Sequence, residues 1–169
     1  ARYAKAELLG HGGMGVVLKA HDQVTGATVA LKVIAPAVAS DSNFVGRFRR
    51  EIRALSSLDH PAIIKILDSA ITPFPFYAME LLTGQTLTDL LKPGALPEDR
   101  AVRLLEQAAQ GLASAHERGV VHRDVKPDNI MIEEGDRVKL LDFGLAHLSG
   151  ATSLTQTGMT AGSAPFMSP

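Results

Sequence analysis

The chain has no cysteine, which excludes disulfide scaffolds, thiolate metal sites and thiolate nucleophiles together and fits a reducing compartment. Neither sign of charge is in surplus: 17 Lys and Arg stand against 18 Asp and Glu, a formal net charge of -1. No global field therefore draws the chain to nucleic acid or anionic lipid, and partners must be recognised locally. Long apolar runs are also missing. The most apolar stretch, Ala62 to Leu82, is interrupted by Lys65, Asp68, Pro73, Pro75 and Glu80. No segment within this stretch is thus expected to span a membrane, and no basic-then-apolar signal opens the chain. Six histidines occur, none at metal-ligand spacing from another histidine or a cysteine, which disfavours transition-metal chemistry. Repeats and low-complexity tracts are absent.

What remains is a globular composition, 46% hydrophobic and 21% charged over 169 residues, enough for one ordinary domain with a real core. A cytoplasmic location is expected. The chain opens at Ala1 rather than Met and stops at Ser168-Pro169, so a piece of something longer is expected too.

Strand-like runs at Tyr3 to Leu9 and Val16 to Asp22 flank a glycine cluster, and Thr28 to Ile34 follows the turn at Thr25-Gly26. From Ser42, an N-cap candidate, Phe44, Phe48, Ile52, Leu55 and Leu58 recur at helical spacing, with Glu51 on the same inward face. Ile63 to Ile71 and Phe76 to Leu81 read as two more strands. The texture changes near Leu82 to Gly84. Beyond a helical turn at Thr86 to Leu91, Pro97-Glu98-Asp99 opens a long helix to about Arg118, with Val102, Leu105, Ala109, Leu112 and Ala113 on one face and Gly119 as its stop. Val138 to Leu141 reads as a short strand, and 149–163 as a long Ser/Thr/Gly-rich loop.

Four places carry chemistry. The cluster Gly10-His11-Gly12-Gly13-Met14-Gly15, followed by Val17, offers backbone freedom where phosphates could approach N–H groups. A strand rather than a helix follows the last glycine, so a dinucleotide fold does not fit; a hairpin lid and a plain turn stay open. Lys32 ends the buried run Val29-Ala30-Leu31 and needs an anion, with Glu51 as candidate; a lysine reaching to water stays open. In 120–132, VVHRDVKPDNIMI, apolar residues clamp a strongly polar loop. Read alone, that loop is either a solvated turn or a site. Asp124, Asn129 and Asp142 together would make a hard-oxygen Mg²⁺ site. Asp124 can instead accept a hydroxyl proton while Lys126 stabilises charge on the transferred group, and His122 reads as packed rather than reactive.

In this order the pieces resemble the protein-kinase signature set: the glycine-rich loop from Gly10 to Val17, Val-Ala-Leu-Lys at 29–32, Glu51, His-Arg-Asp-Val-Lys-Pro-Asp-Asn at 122–129, and Asp-Phe-Gly at 142–144. Lys126, two after Asp124, is similar to the mark of serine/threonine kinases, and Gly-Gly-Met-Gly at 12–15 with Thr155-Gln156-Thr157 resembles the bacterial receptor-type members. The resemblance implies an α+β bilobal fold. An N-lobe of five antiparallel strands plus one helix would occupy 1–82, and part of a mainly helical C-lobe 83–169, the remainder missing.

It also implies roles. The loop Gly10 to Gly15, including His11 and Met14, would cover ATP, and Lys32 with Glu51 would hold its phosphates. Val17, Ala30 and Met131 would sandwich adenine, Met79 would guard the pocket, and Glu80 to Leu82 would form the hinge. Asp124 would be the catalytic base, assisted by Lys126, and Asn129 and Asp142 the Mg²⁺ ligands. Leu55, Ile66, His122 and Phe143 would stack as a spine. Thr155 and Thr157 would be phosphosites answered by Arg123, Arg47 and His147, although unmodified loop threonines stay open.

Implied partners are ATP, proteins presenting Ser or Thr, and a second kinase in a dimer; a membrane-anchored parent is compatible. A pseudokinase is the alternative, against which all four of Lys32, Asp124, Asn129 and Asp142 are present. A small-molecule phosphotransferase is the other rival, disfavoured by Lys126-Pro127 and the threonine-bearing loop.

Overall fold

In the computed structural model, residues 1–40 and 43–143 are described. The chain divides into two units, the first comprising Ala1–Ser57 and Ile64–Leu82, the second comprising Leu58–Ile63 and the chain from Thr83 onward. The short stretch after the first long helix thus belongs with the second unit, where a boundary read along the sequence puts it in the first.

Strands β1 (Tyr3–Gly12), β2 (Gly15–Asp22), β3 (Thr28–Ile34), β4 (Ile66–Ala70) and β5 (Phe76–Glu80) make one antiparallel sheet in the order β1-β2-β3-β5-β4. Alternation sorts the side chains. One face collects Ala20, Val29, Leu31 and Ala78 as a buried cluster, covered by Tyr3, Leu18 and Phe76. Tyr3 meets Phe76 edge-on at 5.6 Å and donates its hydroxyl to Asp68 at 2.7 Å. Beside it, Arg2 pairs bidentately with Asp22 and reaches Asp68 at 2.8 Å, so the N-terminus is tied to both the β2–β3 turn and β4. The Arg2 guanidinium holds the Asp22 carboxyl well below the usual carboxylate range.

The Phe44-Phe48-Ile52-Leu55 stripe does form one helical face. It is the buried side of α2 (Phe44–Ser56), which docks on β4 and brings Phe48 to 6.4 Å from the Tyr77 ring. A one-turn helix, α1 (Pro36–Ala39), precedes it; four residues are too few to leave a periodic signal, and only Pro36 at its start hints at it. Asn43 occupies the N-cap position without a side-chain cap bond, and Ser42, the N-cap candidate, lies outside the described residues.

In the second unit, β6 (Gln85–Thr86), β7 (Ile130–Glu133) and β8 (Arg137–Leu140) form a small sheet, with α3 (Leu87–Leu91) and α4 (Glu98–Glu117) around it. Thr86 caps α3 by accepting from the Asp89 N–H at 3.0 Å. Gly84 carries a strict steric demand, since a Cβ there would fall 2.1 Å from the Ile132 carbonyl oxygen.

The buried face of α4 is Leu104, Ala108, Gly111 and Ala115, packed on β8, and not the expected Val102, Leu105, Ala109, Leu112, Ala113 stripe. Val102 and Leu105 are 56% and 59% exposed. The reason is size. Gly111 lets Leu140 and Ala62 come within van der Waals range of the helix backbone, so the small-residue stripe meets the sheet, while nothing among the described residues covers the larger side chains.

Candidate active site

The Asp-Val-Lys-Pro-Asp-Asn segment is held by its own hydrogen bonds and by the β7–β8 hairpin. Pro127 opens a 3-10 turn, Pro127–Asn129, closed by the Asn129 N–H donating to the Lys126 carbonyl at 2.9 Å. Both amide hydrogens of Asn129 are committed to Asp124, one to its backbone carbonyl at 2.8 Å and one to its carboxylate Oδ2 at 2.9 Å. That fixes the amide plane and leaves the Asn129 side-chain oxygen as the atom able to meet a cation. The Asn129 carbonyl in turn accepts from the Leu141 N–H at 2.9 Å, bringing the Asp142 position alongside the turn.

Lys126 Nζ also reaches Asp124 Oδ2, at 2.9 Å. The carboxylate therefore sits between an ammonium and an amide, oriented from both sides. Two residues of this neighbourhood, Arg123 (φ 65°) and Asp142 (φ 52°), lie in the left-handed region although neither is glycine. Strain of this kind costs about 1–3 kcal/mol per residue and concentrates where a site must hold an unusual direction. Periodicity and composition carry no sign of it.

His122 is 1% exposed, its ring 4.4 Å from that of Phe143. Its Nδ1 accepts from the Asp124 N–H at 3.3 Å, while Nε2 has no well-formed hydrogen bond. Burial lowers its pKa, and the Leu141 backbone offsets this only in part. A neutral, packed imidazole follows, matching its reading as a structural residue.

In the first unit, register aligns Val17 with Lys32 and Ala30 with Met79, so these four side chains share one sheet face. Glu80 reaches back to Lys65, accepting from its N–H at 2.9 Å and donating its own N–H to the Lys65 carbonyl at 3.1 Å, which anchors the chain before Leu82. Met131 in β7 is half-buried opposite Thr86 and Lys139.

The expected Lys32–Glu51 pair is not formed in this structure. Glu51 stands half-buried on α2 without an ion pair or hydrogen bond among the described residues. The glycine loop splits into two kinds of position. Gly15 has φ 145°, and a Cβ there would fall 2.0 Å from the Val33 carbonyl oxygen; Gly10, Gly12 and Gly13 have nothing within 4 Å. Only Gly15 is required by the chain's own packing, which leaves room at the other three for something else to approach the backbone.

The oxygen donors at Asn129 and Asp142 are hard ligands of the kind Mg²⁺ takes, and the fixed amide of Asn129 fits that use. No cluster of three or more His, Cys, Asp or Glu exists among the described residues, so any cation would complete its shell with substrate oxygens or water. Thr155, Thr157, His147 and Gly144 lie outside the described residues.

A family model described as "protein kinase domain" matches residues 3–169. The serine/threonine-protein kinase PknA of Corynebacterium glutamicum is 40% identical over 176 residues, covering 100% of this chain and 38% of that protein. PknB of Mycobacterium tuberculosis is 39% identical, covering 99% of this chain and 28% of that protein. The chain thus spans well under half the length of these curated relatives. The crystal structure of the Mycobacterium tuberculosis PknI kinase domain superposes with a TM-score of 0.77 at 34% identity, over 86% of this chain and 60% of that one.

Proposed function

Since the chain belongs to the protein kinase domain family, we propose that it supplies the nucleotide-handling and catalytic-loop parts of a serine/threonine protein kinase. The reaction is transfer of the γ-phosphoryl group of ATP to a protein Ser or Thr hydroxyl. The observation that carries this is the Asp124 carboxylate, aimed by Lys126 and Asn129 together.

The chemistry follows from that arrangement. Asp124 accepts the proton of the attacking hydroxyl as its oxygen bonds to phosphorus and the bond to the β-phosphate oxygen breaks, releasing ADP. Lys126, 2.9 Å from the base, would offset negative charge on the group in transfer. Lys32 would hold the α and β phosphates. Gly10, Gly12 and Gly13 leave backbone space for the phosphates, Val17, Ala30 and Met79 on one face of the first unit's sheet would offer an apolar bed for the base, and Met131 of the second unit is the remaining adenine-contact candidate. Asn129 and Asp142 would hold Mg²⁺, which when bound neutralises charge on the phosphate oxygens. Glu51 would pair with Lys32.

Phosphorylation of Thr155 and Thr157 by a second copy would make the kinase–kinase encounter part of its regulation. The test uses the full-length parent: Mg²⁺-dependent autophosphorylation with radiolabelled ATP, lost in Asp124→Asn. An Asp124→Asn protein as active as the wild type would remove the proposal. A wild type that binds nucleotide without turnover would favour the pseudokinase reading.

A further inference from the structure

In the second unit β8 is a terminal strand of the order β6-β7-β8, so donors on its outer side need partners from elsewhere. Val138 and Leu140 are 1% and 0% exposed, and an N–H left unanswered in such a place would keep its full desolvation penalty. Both are answered. The Leu140 N–H donates to the Ala62 carbonyl at 2.8 Å. The Val138 N–H donates to Oε1 of Gln107, a half-buried residue in the middle of α4, at 3.2 Å.

The Gln107 amide also donates. Its Nε2 reaches the Asp136 carbonyl at 2.9 Å and the Arg103 carbonyl, one turn back in its own helix, at 3.3 Å. One side chain thus takes the carbonyl before Arg137 and the N–H after it, the two groups that a residue on a parallel neighbouring strand would take. The same edge continues into a parallel bridge between Ile63 and Leu140. Arg100, two turns earlier on α4, grips the turn instead: Nε lies 3.1 Å from both Asp136 carboxylate oxygens and a terminal nitrogen 2.8 Å from one. That ion pair does not touch the strand backbone.

The consequence lies at the other end of β8. One residue beyond it the Leu141 N–H donates to the Asn129 carbonyl, and Asp142 follows at φ 52°. We propose that Gln107 is a positioning residue for phosphotransfer: its amide stands in for the neighbour strand that β8 lacks, and so keeps Leu141 on Asn129 and Asp142 beside it. The role rests on the reading of Asn129 and Asp142 as holders of Mg²⁺; the hydrogen-bond path itself does not.

The test is hydrogen exchange at single amides of the full-length parent, without nucleotide or metal, followed by autophosphorylation across a Mg²⁺ titration. Gln107→Met keeps side-chain length and helix propensity but loses all three side-chain bonds. Exchange at Leu141 should quicken by about tenfold or more, with Leu31 in the first unit's sheet unchanged as the check on folding. The Mg²⁺ concentration for half-maximal rate should rise by about tenfold, as when a group supporting a metal ligand is lost. Gln107→Glu, which retains an acceptor for the Val138 N–H, should move both readouts the same way by less. Asp136→Gly removes the partner of Arg100, keeps the carbonyl and suits the φ of 58°, and should leave both near wild type. Unchanged Leu141 exchange in Gln107→Met, equal effects of Asp136→Gly, or faster Leu141 exchange with an unaltered Mg²⁺ requirement would each overturn the proposal. A wild type without Mg²⁺-dependent turnover would instead remove the kinase reading, and the exchange comparison would still decide whether Gln107 governs Leu141.

Discussion

Lys126 Nζ stands 2.9 Å from Oδ2 of Asp124, both side chains mostly withdrawn from water. The pair joins residues two apart in sequence, which an extended chain would put on one side but about 7 Å apart along its length. Lys126 itself is extended (φ -158°), but the 3-10 turn that begins at Pro127 and the left-handed Arg123 bend the backbone around it. The base and its cation are thus joined through the backbone path of this turn, which the Leu141 N–H at the end of the β7–β8 hairpin holds by donating to the Asn129 carbonyl.

Replacing Lys126 with Ala removes one of the two groups that aim Asp124 and the charge beside the transferred phosphoryl. Turnover of the full-length protein should fall by about 100-fold or more, with nucleotide affinity little altered. Steady-state kinetics alongside nucleotide titration separates the two; an equal loss in both would place Lys126 in binding instead.

Gly15 and Gly13 should respond differently to the same change. Gly15→Ala forces a Cβ onto the Val33 carbonyl at a φ of 145° and should cost at least about 2 kcal/mol of unfolding free energy. Gly13→Ala meets nothing within 4 Å and should stay within about 0.5 kcal/mol of wild type. Urea unfolding of the two variants measures this, and a nucleotide titration of Gly13→Ala shows whether that open space serves the ligand.

Burial lowers the pKa of His122 from its usual 6.5. The unfolded chain therefore takes up a proton first as pH falls below about 6.5, and His122 contributes a loss of stability on the acid side of that value and none above it. His122→Phe, which keeps a ring against Phe143, should flatten the dependence between pH 6.5 and 5. Denaturant midpoints across that range, with the imidazole titration followed by NMR, check both sign and origin.

Thr155 and Thr157 changed together to Ala should lower activity of the full-length protein severalfold, because a phosphothreonine can recruit Arg123 and other cations that the hydroxyl cannot. Unchanged rates would leave the two as ordinary loop residues.

Much of the first unit was legible from residue order. The Phe44-Phe48-Ile52-Leu55 stripe has a period no strand could use, and the β1–β2–β3 meander has turn residues where the turns are. The α4 face was not legible. Its larger side chains at 102 and 105 advertise a core, yet the smaller stripe at 104, 108, 111 and 115 is buried. Close approach of a helix to a sheet rewards small residues, and hydrophobicity alone ranks them last.

The candidate site divides the same way. Residue type and spacing alone determined which groups bear the chemistry: an acid, an amide and a lysine within six positions, a second acid in a separate segment, and a lysine in a buried run. Those are properties of single side chains and their chemical capacities. Tertiary structure decided which atoms face each other: that Asn129 gives both amide hydrogens to Asp124, and that Leu141 ties Asp142 to the turn. Hydrogen bonds and ion pairs depend on tenths of an ångström and on direction. Both are fixed only when the packing of whole elements is, and no local stretch of sequence carries that information.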